Sequence, residues 1–150
     1  MRHRTFLMGV CVGLAATLVL TVSALADEGG RPFTTTLTGA AEVPGPGDPD
    51  GSGTASITLN PGLEEVCFEL FVSNITLPAT GAHIHVIGPL GFGPVVVGLV
   101  PPDATGTSSG CVSADRELIK AIMQNPENYY VNVHTLPLYA AGAVRGDLAK

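Results

Sequence analysis

Three histidines have the types and spacing for metal chemistry. Two of them stand one residue apart in Ala82-His83-Ile84-His85-Val86, and the third, His134, ends a similar run in Tyr130-Val-Asn-Val-His134. In an extended segment successive side chains point to opposite faces. Ile84 and Val86 then take the core, and His83 and His85 project together from the other face, their Cα atoms about 6.5–7 Å apart. The same alternation turns Val131 and Val133 inward and Tyr130, Asn132 and His134 outward. If the two strands are neighbours, three imidazoles meet.

Neutral imidazole suits copper, zinc, nickel and iron, and Cu(II) leads the divalent affinity order for nitrogen sites. No carboxylate lies between the histidines to build the oxygen shell that calcium or magnesium requires. One reading is therefore a single copper ion on His83, His85 and His134, with zinc the second choice. The plainer reading is that three outward rings only hydrogen-bond to loops, and the His-x-His spacing alone does not separate the two. The sequence carries no Gly-x-Ser-x-Gly elbow, phosphate loop, zincin helix or Ser/His/Asp pattern, so no catalytic residue is assigned. Asp48-Pro-Asp50-Gly51-Ser52 lacks the further ligands of a calcium loop and reads as an acidic turn.

The elements that must position these residues are short β-type runs broken by Gly, Pro and Asp. Strands are expected at 33–38, 53–60, 64–73, 82–87, 95–100, 106–113, 129–135 and 143–148. Residues 41–52 form a long turn region, and 88–94 form a Gly/Pro loop. Asn60-Pro61-Gly62 makes a hairpin of the second and third strands. One helix is expected at 115–124, capped by Ser113 or Asp115, with Leu118, Ile119, Ile122 and Met123 on one face. Eight such strands predict an all-β Greek-key sandwich with one short helix.

The compartment is read from residues 1–26. Arg2, His3 and Arg4 precede an apolar stretch, and Ala24-Leu25-Ala26 is the small-x-small pattern of a signal-peptidase site before Asp27. This reads as a signal peptide, leaving no stable membrane anchor after cleavage. The remaining 124 residues carry five basic side chains against thirteen acidic ones, a net charge of −8. A chain this acidic has no electrostatic case for binding nucleic acid or an anionic membrane. Cys67 and Cys111 survive cleavage, and in an oxidising compartment such a pair is expected to be bridged. The alternative, a thiolate metal site, lacks histidines near either cysteine.

Six segments taken together resemble the CHRD domain family. They are Leu37-Thr-Gly-Ala-Ala-Glu-Val-Pro44, Gly53-Thr-Ala-Ser-Ile-Thr-Leu59, Gly81-Ala-His-Ile-His85, Gly93-Pro-Val-Val96, Tyr130-Val-Asn-Val-His-Thr135 and Gly142-Ala-Val-Arg-Gly-Asp-Leu148. The resemblance spans about residues 33–149, which defines the expected domain after the leader at 1–26. It implies a secreted or periplasmic β-domain and, by analogy with chordin, extracytoplasmic protein partners. A remoter resemblance is to the Cu,Zn superoxide dismutases, in which an H-x-H strand and a later histidine bind copper. That resemblance implies copper ligation by His83, His85 and His134 and an anion-guiding or supporting role for Arg145. The chain departs from that pattern in lacking a histidine to bridge two metals and a His/Asp zinc cluster. The expectation is an exported copper-binding domain for storage, delivery or buffering. A dismutase-like redox enzyme and a metal-free interaction module are the alternatives.

Overall fold

The computed structural model describes residues 29–148. The leader read at 1–26 and the last two residues lie outside them. Eight antiparallel strands are present: β1 (Arg31–Thr38), β2 (Ser52–Asn60), β3 (Glu65–Ser73), β4 (Gly81–Val86), β5 (Val95–Leu99), β6 (Thr107–Ser113), β7 (Tyr129–Thr135) and β8 (Tyr139–Asp147). The helix α1 (Arg116–Gln124) joins β6 to β7. All the expected strands are there. The main difference is β8, which begins at Tyr139 because residues 136–138 turn the chain straight back and Thr135 pairs with Tyr139. The small residues from Ala140 to Gly142 carry no apolar alternation by which a strand start could be read.

The strands form one sheet in the order β5-β4-β7-β8-β1-β2-β3-β6. The pairs β4–β7, β8–β1 and β3–β6 join strands that do not follow one another, which is Greek-key connectivity. The expected sandwich is thus one sheet curled nearly closed around a single core. Its two edges approach where the Ser108 hydroxyl on β6 donates to the Val100 carbonyl just past β5, at 2.8 Å. The core follows the strand alternation: Leu37, Ile57, Leu59, Val66, Ile84, Val131, Val133 and Val144 are wholly enclosed. Asp115 caps α1, its Oδ1 accepting the N–H groups of Glu117 at 2.9 Å and Leu118 at 3.1 Å. The helix delivers Ile119 and Ile122 to the core. Asp115→Ala should lower stability by about 1 kcal/mol, read as a shift of the urea unfolding midpoint at unchanged slope.

Strands β7 and β8 depart from a simple inside/outside pattern because both of their faces are buried. The outward set expected from alternation includes Asn132, which is 2% exposed, and Arg145 on β8 is 3% exposed. Outward here means away from the apolar core and under a roof. Residues 39–51 and 88–94 lie over this face. The Asp48 N–H donates to the Ala143 carbonyl of β8 at 2.8 Å, and the Gly91 carbonyl accepts from the Arg145 guanidinium at 2.7 Å. The two loops also meet each other at Gly91 and Val43. Gly91 has φ +83°, a left-handed conformation that costs glycine little and side-chain-bearing residues much more.

Candidate metal centre

The antiparallel register of β4 and β7 sets His134 opposite Gly81 and His83 opposite Asn132. His134 therefore lies diagonally across from His83, on the same face as His85. The ring centroids are 5.0 Å apart for His83–His134, 5.5 Å for His83–His85 and 6.2 Å for His85–His134. One ring nitrogen from each histidine lies within 4.8 Å of those of the other two. Glycine at position 81 keeps this space free, since a Cβ there would come to 3.1 Å from His83 Cε1 and 3.5 Å from His134 Cδ2.

Two of the rings are oriented by main-chain carbonyls. His85 Nδ1 lies 2.8 Å from the Gly93 oxygen, and His134 Nδ1 lies 3.1 Å from the Ala140 oxygen. A carbonyl can only accept, so each Nδ1 carries the proton and each Nε2 keeps its lone pair. Both Nε2 atoms are buried and have no hydrogen-bond partner, and the same is true of Nδ1 of His83. A buried polar atom left unpaired costs about 1–3 kcal/mol, and native proteins hold few of them. One nitrogen from each of three such rings, all within 4.8 Å of one another, matches the donor set of a single cation. Backbone carbonyls holding the opposite ring nitrogen are also the usual support of a metal-ligating histidine.

The surroundings of His83 and His134 favour their neutral form, as ligation requires. Burial lowers the pKa of His83 to about 4, and the neighbouring His134 and His85 add to the shift. Burial also lowers that of His134, opposed by its bond to the Ala140 carbonyl. A second group of donor types, Glu65, Cys67 and Cys111, also lies close together. Its sulfurs are joined as a disulfide across paired positions of β3 and β6. The expected bridge is present, and the pair offers no thiolate.

Arg145 sits one layer behind the histidines. Tyr130 stacks on the His85 ring at 4.8 Å and 10° from parallel, and the Arg145 guanidinium lies 3.6 Å from the Tyr130 ring centre. Because β7 runs between β4 and β8, the phenol is held between imidazole and guanidinium. All three nitrogens of Arg145 are engaged: Nε and Nη2 donate to Asp147 and Nη1 donates to Gly91.

Sequence reasoning missed Glu42. Its side chain is buried under the roof, within reach of the Asn132 amide and the charge of Arg145. Burial pushes its pKa up to about 7, against the lowering effects of Arg145, Asn132 and the Val43 backbone. Gly142, at φ +148°, makes room for it, because a Cβ there would run into the Glu42 carboxyl. A lone glutamate in a Pro/Gly turn gives no sign of burial. Only the position of its segment over Asn132 and Arg145 shows it.

The fold and the centre define a β-domain with a three-imidazole cluster on the outer face of its sheet, beside the part of that face that the two loops cover. The chain belongs to the CHRD domain family, whose model matches residues 33–148. No curated protein and no solved structure matches it.

Proposed function

We propose that this CHRD domain is an exported copper-binding module that holds one ion through His83, His85 and His134, for storage, delivery or buffering. The observation that carries this reading is a trio of histidines whose ring nitrogens, one from each, lie within 4.8 Å of one another, each ring also holding a buried, unpartnered nitrogen. Nitrogen-only donors favour copper over hard cations, and Cu(II) over zinc at equal availability. Copper held this way can exist as Cu(I) or Cu(II) and keeps coordination positions open to an incoming donor. The chain contributes the rest. The Gly93 and Ala140 carbonyls fix two tautomers, Tyr130 and Arg145 brace the His85 ring, and the two loops cover the face beside them at Asn132 and Arg145.

Export is part of the same proposal. The basic-apolar-small pattern of residues 1–26 supports it, and so does the disulfide. No helix among the described residues is long and apolar enough to cross a membrane. Binding is favoured over dismutase-like turnover because each nitrogen of Arg145 already holds a protein partner and the side chain is almost wholly buried, so it is poorly placed to guide an anion.

The test is copper stoichiometry and competition affinity for the purified protein beside a His83→Ala/His85→Ala/His134→Ala variant. One copper per chain is expected. Affinity should fall by more than about 100-fold in the variant, since loss of ligands exceeds loss of their supports. Equal and weak binding by both proteins would sink the reading.

A further inference from the structure

The three histidines are not equivalent. His85 and His134 are each tied to a main-chain oxygen. The His83 ring makes no hydrogen bond to any described residue, and its only ring contacts are with the other two histidines. Its surroundings on its own face are also bare. Two residues before it stands Gly81, and directly across the β4–β5 ladder stands Gly98. Paired residues of an antiparallel ladder project to the same side. A side chain at Gly98 would therefore lie beside the His83 ring, yet there is none, and a Cβ built at Gly98 meets no atom within 4 Å. One ligand is thus untethered and faces open space, while two are anchored.

Resting on the copper reading above, we infer that His83 is the exchangeable ligand of the centre. It closes when the ion bound is Cu(II), and it swings toward Gly98 when the ion bound is Cu(I), which then rests on His85 and His134 alone. The chemistry of the two oxidation states suits this division. Cu(II) favours tetragonal sites with several nitrogen or oxygen donors and loses much when one leaves. Cu(I) is a closed-shell ion for which two imidazoles in a line are a sufficient set. Metal–nitrogen bonds of about 2 Å put such a pair about 4 Å apart, within the 4.8 Å that contains the donor atoms here. Release of His83 frees a coordination position on Cu(I) without unfolding either anchored ligand, so an incoming donor from a copper acceptor can take it. The rotation uses only side-chain torsions of a half-buried residue and moves no backbone.

The test measures Cu(I) and Cu(II) affinities separately, by competition with chromophoric chelators, for the wild-type chain and three single variants. His83→Ala should weaken Cu(II) by about 100-fold or more and Cu(I) by less than about 10-fold, bracketing the range seen for supporting groups. His85→Ala and His134→Ala should weaken both ions by about 100-fold or more. A Gly98→Val variant, which fills the swing space with a strand-favouring residue, should keep Cu(II) affinity and slow transfer of Cu(I) to a chelator. His83→Ala breaks no hydrogen bond, and its far-ultraviolet circular dichroism and melting curve are expected to match wild type without metal. If His83→Ala loses Cu(I) as steeply as His85→Ala does, or keeps full Cu(II) affinity, His83 is not the exchangeable ligand. If Gly98→Val transfers Cu(I) at the wild-type rate, the swing is excluded. A wild-type chain that binds neither ion overturns the three-histidine reading itself.

Discussion

In the presence of a metal chelator, Glu42→Gln should become more stable as the pH is raised from 4 to 6.5, whereas wild type stays nearly level. Two opposed linkages produce this result. Glu42 has its pKa raised from 4.5 to about 7, chiefly by burial. Its folded form binds a proton that the unfolded chain has given up. Its contribution is therefore complete below pH 4.5 and is lost as the pH rises through 7. The shift corresponds to a loss on the order of 3 kcal/mol. His83 runs the other way. Its pKa is lowered from 6.5 to about 4, so the unfolded chain takes up a proton that the folded one refuses. That contribution is complete above pH 6.5 and is lost as the pH falls through 4. His134, also lowered by burial, acts in the same direction. Solvent screening of the half-exposed His83 ring keeps its share to on the order of 1–2 kcal/mol. Glutamine keeps the shape at position 42 without the titration, and the histidine slope is then uncovered. Urea unfolding in half-unit pH steps reads the difference. Parallel stability curves for the two proteins would show that Glu42 does not titrate inside the fold.

The two parts of the site were unequally legible from the residues. The imidazole trio follows from strand alternation. Ile84 and Val86 on β4, and Val131 and Val133 on β7, have to face the core, and the histidines between or beside them have to face the other way. The strands had only to be neighbours, which they are. The cysteine pair was equally legible, because two cysteines leave one pairing. The roof was not. Residues 39–51 and 88–94 are Gly/Pro segments with no periodicity, and such segments show that the chain turns without showing what it covers. The outer face of β7 was consequently read as simply outward, when Tyr130 and Asn132 are enclosed. Glu42 was hidden for the same reason. Arg145 lies behind Tyr130, and its hydrogen bonds to Gly91 and Asp147 could be seen only in three dimensions.

The local pattern also explains why the centre sits where it does. In a sheet curled around an apolar core, the inner face has no room for three imidazoles with unpaired nitrogens. The outer face is normally wet, and water would satisfy those nitrogens as well as a metal does. Two loops lying against β8 and the His85 end of β4 make a third environment, sheltered but not apolar. It depresses histidine pKa values and raises that of Glu42 through the same loss of solvent. The proposed metal ligation and the opposed pH linkages thus share one cause, the loss of solvent around these side chains.

Replacing both Cys67 and Cys111 by alanine should lower stability by about 4 kcal/mol and leave copper affinity within about twofold. The first figure comes from the chain-entropy cost of closing a loop over a sequence separation of 44 residues. That loop contains β4 and β5, with His83 and His85. In the unfolded chain the bridge restricts the segment that carries two of the three histidines. In the folded protein it adds nothing to their placement, because β4 is held through its ladders with β5 and β7, and the disulfide joins β3 to β6. His85 and His134 keep their carbonyl partners at Gly93 and Ala140 whether or not the sulfurs are bonded. Stability and metal affinity are therefore expected to separate in this variant. Unfolding in urea would show the loss of stability, and copper competition well below the new midpoint would show the retained site. A parallel loss of affinity in the still-folded variant would mean that the bridge helps to hold the curvature on which the three imidazoles depend.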